Sequence, residues 1–289
     1  MPSTTETKHP TPLVKWAGGK RQLLDRIAAR MPASGYETLY EPFIGGGAVF
    51  LSLCPEKAVI NDINRELINL YKTVKNDPIA LTVEIDKIDD RMPENPDEAK
   101  AYYYEMRKRY NELIAAETLD IEAAAMLVFI NKHCFNGLYR VNAKGAFNVP
   151  YNGSRTRSVN PENVRAVSRA LEHAEILCGD FEPAVADAKA GDFVFFDSPY
   201  VPIKETTFEA YTKEGFLEED HRRLARLFRD LDRRGCSVML TNHNTALIRE
   251  LYDGFNIDTV SVKRAINSDA SKRTGEEVII TNYEHGAIE

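Results

Sequence analysis

Cysteine, tryptophan and long apolar runs are all scarce in this chain of 289 residues. The four cysteines, Cys54, Cys134, Cys178 and Cys236, are widely spaced and form no C-x-x-C pair, so neither a disulfide framework nor a zinc knuckle is expected. They read as buried free thiols in a reducing cytoplasm. No apolar run reaches the length that spans a bilayer, so no membrane partner is expected. The opening stretch MPSTTETKHPTP lacks the charged-then-apolar order of a secretory signal, and residues 1–12 are expected to form a disordered tail. Positive charge is in deficit: 37 Lys and Arg face 44 Asp and Glu, a net charge of −7. Taken alone, that balance argues against a nucleic-acid partner.

The charge is unevenly placed. Residues 132–173 hold seven Lys or Arg against two Glu, a net of +5, which leaves −12 for the rest of the chain. A local basic surface on an acidic body suits a polyanion, because phosphate contacts need local rather than total charge. A solvated basic face would have the same composition. Short apolar, β-rich runs recur at 38–43, 57–62, 174–180, 193–197, 236–241, 257–262 and 278–283. Helical spacing lies between them at 22–29, 65–75 and 218–233. Alternation of this kind predicts an α/β fold, a mostly parallel sheet with helices on both faces. The rhythm breaks once. A helix-patterned region including 101–113 and 121–131, then a loop-like stretch at 136–158, separates the second strand from the third. We read 73–173 as a mostly helical insertion and 13–72 with 174–289 as the α/β domain.

The turn Glu41-Pro42-Phe43-Ile44-Gly45-Gly46-Gly47 follows the first strand. Glycines there let backbone approach a bound nucleotide. The dinucleotide fingerprint is incomplete because Phe50 stands where its third glycine would be. That fingerprint serves a pyrophosphate, and S-adenosylmethionine has none. Asp62 ends the second strand, where a carboxylate can accept ribose hydroxyls. Asp180 and Phe181 end the third, where a carboxylate and a ring could take an adenine. Lys15-Trp16-Ala17-Gly18-Gly19-Lys20 precedes the first strand, with Trp16 placed for packing and Lys20 for the methionine carboxylate. A ligand-free turn explains each of these features singly. Asp197-Ser198-Pro199-Tyr200 follows the apolar fourth strand, Phe193 to Phe196. A carboxylate and a backbone carbonyl at this position can accept both N–H bonds of an aromatic exocyclic amine, localise its lone pair and aim it at a methyl donor. Tyr200 would stack on a base flipped out of a duplex.

Together with Asn61-Asp62-Ile63-Asn64, Phe135-Asn136-Gly137-Leu138-Tyr139-Arg140, Phe147-Asn148-Val149-Pro150 and Thr241-Asn242-His243-Asn244, these motifs occur in an order that closely resembles the Dam-type family of adenine-specific DNA methyltransferases. The resemblance runs from Leu13 to Tyr283. It implies a Rossmann-like methyltransferase sheet, with the inserted helical domain recognising DNA, and a cytoplasmic enzyme that uses S-adenosylmethionine on double-stranded DNA with no metal and no obligate protein partner. The implied cofactor contacts are Trp16, Lys20, Glu41, Phe43, Gly45, Gly47, Asp62, Asp180 and Phe181; Asp197, Ser198, Pro199 and Tyr200 carry catalysis. The family also implies the palindrome GATC. On that reading Arg140 contacts guanine, Leu138 and Pro150 make apolar base contacts, and Lys15 and Asn148 lie at the bases. Phe135 and Asn136 fill the gap left by the flipped base, and Arg155 and Arg157 approach phosphate, as Lys263, Arg264, Lys272 and Arg273 could.

The chain departs from the family pattern twice. Ser198 stands where proline is usual, which keeps the carbonyl but loses a fixed φ. Tyr151-Asn152-Gly153-Ser154-Arg155 stands where the family tends to run directly into Gly-Arg-Tyr, so the register of phosphate contacts there is left open. On residues alone three alternatives stay open: a methyltransferase acting on a protein amide, a DNA-binding homologue that has lost activity through Ser198, and an NAD-dependent oxidoreductase. A free-standing enzyme and the methylating half of a restriction-modification pair would have the same motifs.

Overall fold

The structure is a computed structural model that describes residues 9–16, 18–203, 215–263 and 274–285. Arg264, Lys272, Arg273, the side chain of Lys263 and residues 1–8 of the expected tail lie outside the described residues. The chain divides into two units. One, the sheet unit, comprises Lys20–Ile44, Pro55–Asn64 and the chain from Glu175. The other, the helical unit, comprises Gly45–Cys54, Arg65–Ala174 and the described residues up to Gly19.

The sheet unit holds β1 (Leu39–Glu41), β2 (Ala58–Asp62), β3 (Ala174–Cys178), β4 (Phe193–Phe196), β5 (Ser237–His243), β6 (Asn256–Lys263) and β7 (Thr274–Thr281). The strands lie in the order β3-β2-β1-β4-β5-β7-β6. Neighbours β2, β1, β4 and β5 run parallel, and β7 enters antiparallel between β5 and β6. Phe193 to Phe196 are all fully buried, as a central strand covered on both faces requires. Chain order reverses between β1 and β4, and open α/β sheets take ligands at the carboxyl ends of the strands flanking such a switch point. Around the sheet lie α1 (Leu24–Ala28), α8 (Glu218–Arg233) and α9 (Ala246–Leu251). The buried face of α8, with His221, Leu224, Ala225, Phe228 and Leu231, repeats at helical spacing. Phe196, Phe228, Tyr252 and Ile280 share its core.

The helical unit holds α2 (Ala48–Leu53), α3 (Arg65–Asn76), α4 (Pro78–Asp90), α5 (Pro96–Ala115), α6 (Ile121–His133) and α7 (Pro161–Ala170). Every residue of α6 from Ala123 to Asn131 is buried, so this helix is the axis on which α3, α4 and α5 pack. Asp77, Asn95, Asp120 and Asn160 each accept a first-turn N–H, and proline opens three of those four helices.

Two expectations need correction. Cys134 and Cys236 are buried, but Cys54 and Cys178 are exposed; all four are free thiols. The stretch at 136–158 is also more ordered than its loop-like composition implies. Antiparallel bridges join Cys134 to Tyr151 and Val141 to Phe147, and a turn closes at Asn142, whose side chain accepts from Lys144 N and Ala146 N. Its strands carry no period-two pattern because α5 supplies their partners. Asn111 bonds both the N–H and the carbonyl of Phe147, and the Tyr103 hydroxyl donates to the Val149 carbonyl. Among the described residues no helix is long and apolar enough to cross a membrane.

Candidate active site

β4 ends at Phe196, and the next residue, Asp197, directs its carboxylate onto two donors. Lys20 Nζ lies 2.6 Å from Asp197 Oδ1, and Thr241 Oγ1, from the adjacent β5, donates to the same oxygen at 2.9 Å. Burial pushes the Asp197 carboxyl above the usual carboxylate range, while Lys20 and Thr241 oppose the rise. Lys20 is itself 5% exposed, and its ammonium sits 4.5 Å from the centroid of the Tyr200 ring. The Tyr200 hydroxyl donates to Glu277 Oε2 at 3.0 Å, and the His243 ring meets the Tyr200 ring edge-on at 4.8 Å. Burial, then the carboxylates of Asp197 and Glu277, drives the phenol pKa well up, so the ring stays neutral. The loop beyond is tied to β5: Asn242 Oδ1 accepts from Val201 N, and the Val201 carbonyl lies 2.8 Å from His243 Nδ1. Ser198 is buried, and its hydroxyl finds no partner among the described residues.

The other expected residues of the sheet unit stand at strand ends. Glu41 is buried at the end of β1. Asp62 Oδ1 accepts from Asn64 N, which turns the chain after β2. Asn61 Nδ2 donates to the carbonyls of Pro42 and Gly179, binding the ends of β1, β2 and β3 together. Phe43 and Phe181 pack at 5.3 Å. Asp180 is ion-paired with Arg223, whose guanidinium lies 4.5 Å from the centroid of the Phe181 ring and covers its face.

In the helical unit Trp16 stacks on Tyr139 at 4.7 Å. Gly45 and Gly47 have φ of +47° and +71°, and a Cβ on Gly45 would meet Trp16 Cδ1 at 3.0 Å, so this turn demands glycine. The side chain of Asn131 accepts from Lys15 N and donates to the Lys15 and Gly137 carbonyls. On the hairpin Arg140 is exposed, with Nε donating to Asn148 Oδ1 at 2.8 Å. Phe135 is 56% exposed, Asn136 adopts a left-handed φ of +58°, Leu138 is half-buried and Pro150 is exposed. Arg155 is exposed, whereas Arg157 pairs with Asp90 at 2.6 Å and Asp86 at 3.5 Å.

A family model described as D12 class N6 adenine-specific DNA methyltransferase matches residues 16–266. The chain belongs to this family. It is 43% identical over 277 residues to the type II methyltransferase M1.LlaDCHI of Lactococcus lactis subsp. cremoris, a match spanning 94% of this chain and 95% of that one. It is 40% identical to the type II methyltransferase M.MjaIII of Methanocaldococcus jannaschii, over 94% of this chain and 99% of the relative. A DNA adenine methylase of Haemophilus influenzae is 34% identical, over 94% and 93%. The chain is accordingly an N6 adenine-specific DNA methyltransferase.

Two contacts in the methyltransferase were not assigned from sequence. Thr241 stood in a recognised motif without a role, and its bond to Asp197 supplies one: it holds the carboxylate in place. Glu277 had no signal, because it reaches Tyr200 from a strand 77 residues away.

Proposed function

We propose that this enzyme transfers the methyl group of S-adenosylmethionine to N6 of an adenine flipped out of double-stranded DNA, within GATC. One observation carries the reading: a protonated amine, that of Lys20, is held by the Asp197 carboxylate at 2.6 Å and by the Tyr200 face at 4.5 Å. An adenine amino group donating to the same oxygen, with its ring on the same tyrosine, uses the same two contacts.

S-adenosylmethionine supplies an electrophilic methyl on a sulfonium. The donor set fits a nucleoside without phosphate. Asp62 offers a carboxylate for ribose hydroxyls, Asp180 one for an adenine amino group, and Phe43 and Phe181 offer rings. Glu41 adds a buried carboxylate at the end of β1. Lys20 leaves Asp197 for the methionine carboxylate as the base enters. Asp197 then accepts one N6–H and the Ser198 carbonyl the other, which moves the nitrogen lone pair out of ring conjugation. Tyr200 fixes the plane of the base.

Reading of the site falls to the hairpin in our proposal. Arg140, oriented by Asn148 through Nε, presents its Nη atoms to guanine O6 and N7. Leu138 and Pro150 meet thymine methyls, Lys15 contacts a base, and Phe135 with Asn136 fills the gap in the stack. Arg155 and Arg157 contact phosphate, Arg157 by exchanging Asp90 for DNA.

The test supplies tritiated donor with duplexes containing GATC or a one-base variant. Label should enter the first as N6-methyladenine. Equal labelling of both overturns the specificity, and labelling of neither overturns the transfer reading.

A further inference from the structure

Glu277 belongs to β7, the antiparallel strand beside β5, and neither the donor nor the DNA contacts above call on it. Its carboxylate nevertheless receives the Tyr200 hydroxyl at 3.0 Å. Across the β5–β7 ladder its register partner is His243, whose ring packs steeply against that of Tyr200, 4.8 Å between centroids. Tyr200 is thus held at its hydroxyl by a carboxylate and packed against an imidazole, while one face already carries a cation, that of Lys20. Because the phenol stays protonated, the bond is an O–H donating to a charged acceptor, the stronger kind of neutral-to-ion hydrogen bond.

We propose that Glu277 is a positioning residue for methyl transfer that acts through Tyr200, fixing the ring and enriching its face in electron density. The need arises from the charge flow of the reaction. As the N6–C bond forms, the S–C bond breaks and its electron pair returns to sulfur, so the positive charge moves from the sulfonium to the aminopurine. It stays there until one N6 proton leaves to solvent water. An aromatic face attracts a cation through its quadrupole, and electron donation from the hydroxyl strengthens that face. Glu277 sits at the far end of the ring, where its negative charge favours the transition state over the neutral base without touching either. The proposal rests on the adenine-transfer reading above.

The test compares wild type, Glu277→Gln, Tyr200→Phe and the double variant by single-turnover rate at saturating donor and DNA. Donor and duplex affinities are measured directly, and thermal melting checks the fold. The Glu277→Gln change keeps the shape and a hydrogen-bond acceptor but loses the charge. Exchanging a charged acceptor for a neutral one should slow transfer about tenfold and leave both affinities unchanged. Tyr200→Phe removes the hydroxyl, so the double variant should be no slower than Tyr200→Phe alone. A wild-type rate in Glu277→Gln overturns the proposal. So does a double variant slowed by the full Glu277→Gln factor below Tyr200→Phe, since the carboxylate would then act by another route. If Glu277→Gln loses its cooperative melting transition, Tyr200→Phe decides: a slowed rate at unchanged affinity supports the coupling, and a wild-type rate overturns it. No transfer by wild type would instead sink the adenine-transfer reading itself.

Discussion

The sheet unit and the helical unit differ in what their polar side chains converge on. In the sheet unit Asn61 and Asn242 bond backbone, but other polar groups converge on the proposed reacting position: Lys20 and Thr241 share one oxygen of Asp197, and Glu277 and His243 contact Tyr200. Little of this cluster is open to water, and a carboxylate in such a place is raised in pKa by desolvation and steadied by a neighbouring cation. In the helical unit, buried and half-buried polar side chains hold backbone. Asn111, Asn131 and Tyr103 bond main-chain groups of the hairpin and its neighbours, leaving Arg140, Phe135 and Arg155 outside. On the proposed assignment, the difference teaches where rigidity lies: in the functional groups themselves for chemistry, and in the scaffold beneath the functional groups for reading a polymer.

Asp197→Asn breaks the first half of that comparison most severely. It keeps an acceptor oxygen but removes the negative charge that, in the proposed mechanism, localises the N6 lone pair, and it adds an N–H donor facing the amine; the single-turnover rate should fall by about 10²–10³, the scale of a lost preorganised electrostatic contact. Duplex affinity should persist. A rate within tenfold of wild type would show that the carboxylate is not central.

Lys20→Met tests the electrostatics of the same cluster. In the proposed mechanism ionised Asp197 is the competent form, so the rate should fall on acidification as the carboxylate takes a proton. Burial already raises that pKa, Lys20 lowers it, and removing Lys20 leaves the desolvation less opposed. The acid limb of the kcat/KM profile, which reports the enzyme before the base enters, should therefore move to higher pH. An unmoved limb, or one moved to lower pH, would contradict the assignment.

Gly137→Ala acts on the scaffold. Gly137 has φ +64°, and an added Cβ would lie 2.4 Å from Lys15 Cδ and 2.7 Å from Lys15 Cβ. The left-handed backbone alone costs an alanine about 1–2 kcal/mol. Melting temperature and GATC affinity should both drop, with the rate at saturating DNA preserved. A fall in that rate at unchanged affinity would place the hairpin in the chemistry. The smallest effect is expected for Ser198→Pro. The serine hydroxyl is buried without a partner among the described residues, and proline removes it while fixing φ. Turnover should rise by a few-fold; a slower Ser198→Pro enzyme would refute the idea.

How much of this was legible in the sequence follows from how local each signal is. The apolar run at Phe193 to Phe196 announced a buried strand, and the tetrapeptide after it lies at the carboxyl end of β4 as expected. All seven expected strands are present, with β7 beginning earlier, at Thr274. The hairpin was not legible, because its strands are irregular and their partners lie on α5, as with Asn111 and Phe147. The pairing of Lys20 with Asp197 was hidden for a similar reason. Each residue sat in a recognisable motif, but only the fold brings the two together, and Lys20 was expected at a different carboxylate.

The division of labour is tested most directly by kcat/KM of Arg140→Ala on a GATC duplex and on a duplex altered at the guanine. One bidentate arginine–guanine pair discriminates by about 1–3 kcal/mol. The preference for GATC should therefore shrink by roughly ten- to a hundredfold, while the single-turnover rate at saturating GATC stays near wild type. An unchanged preference would contradict the account, because the reading would then reside elsewhere than on the hairpin.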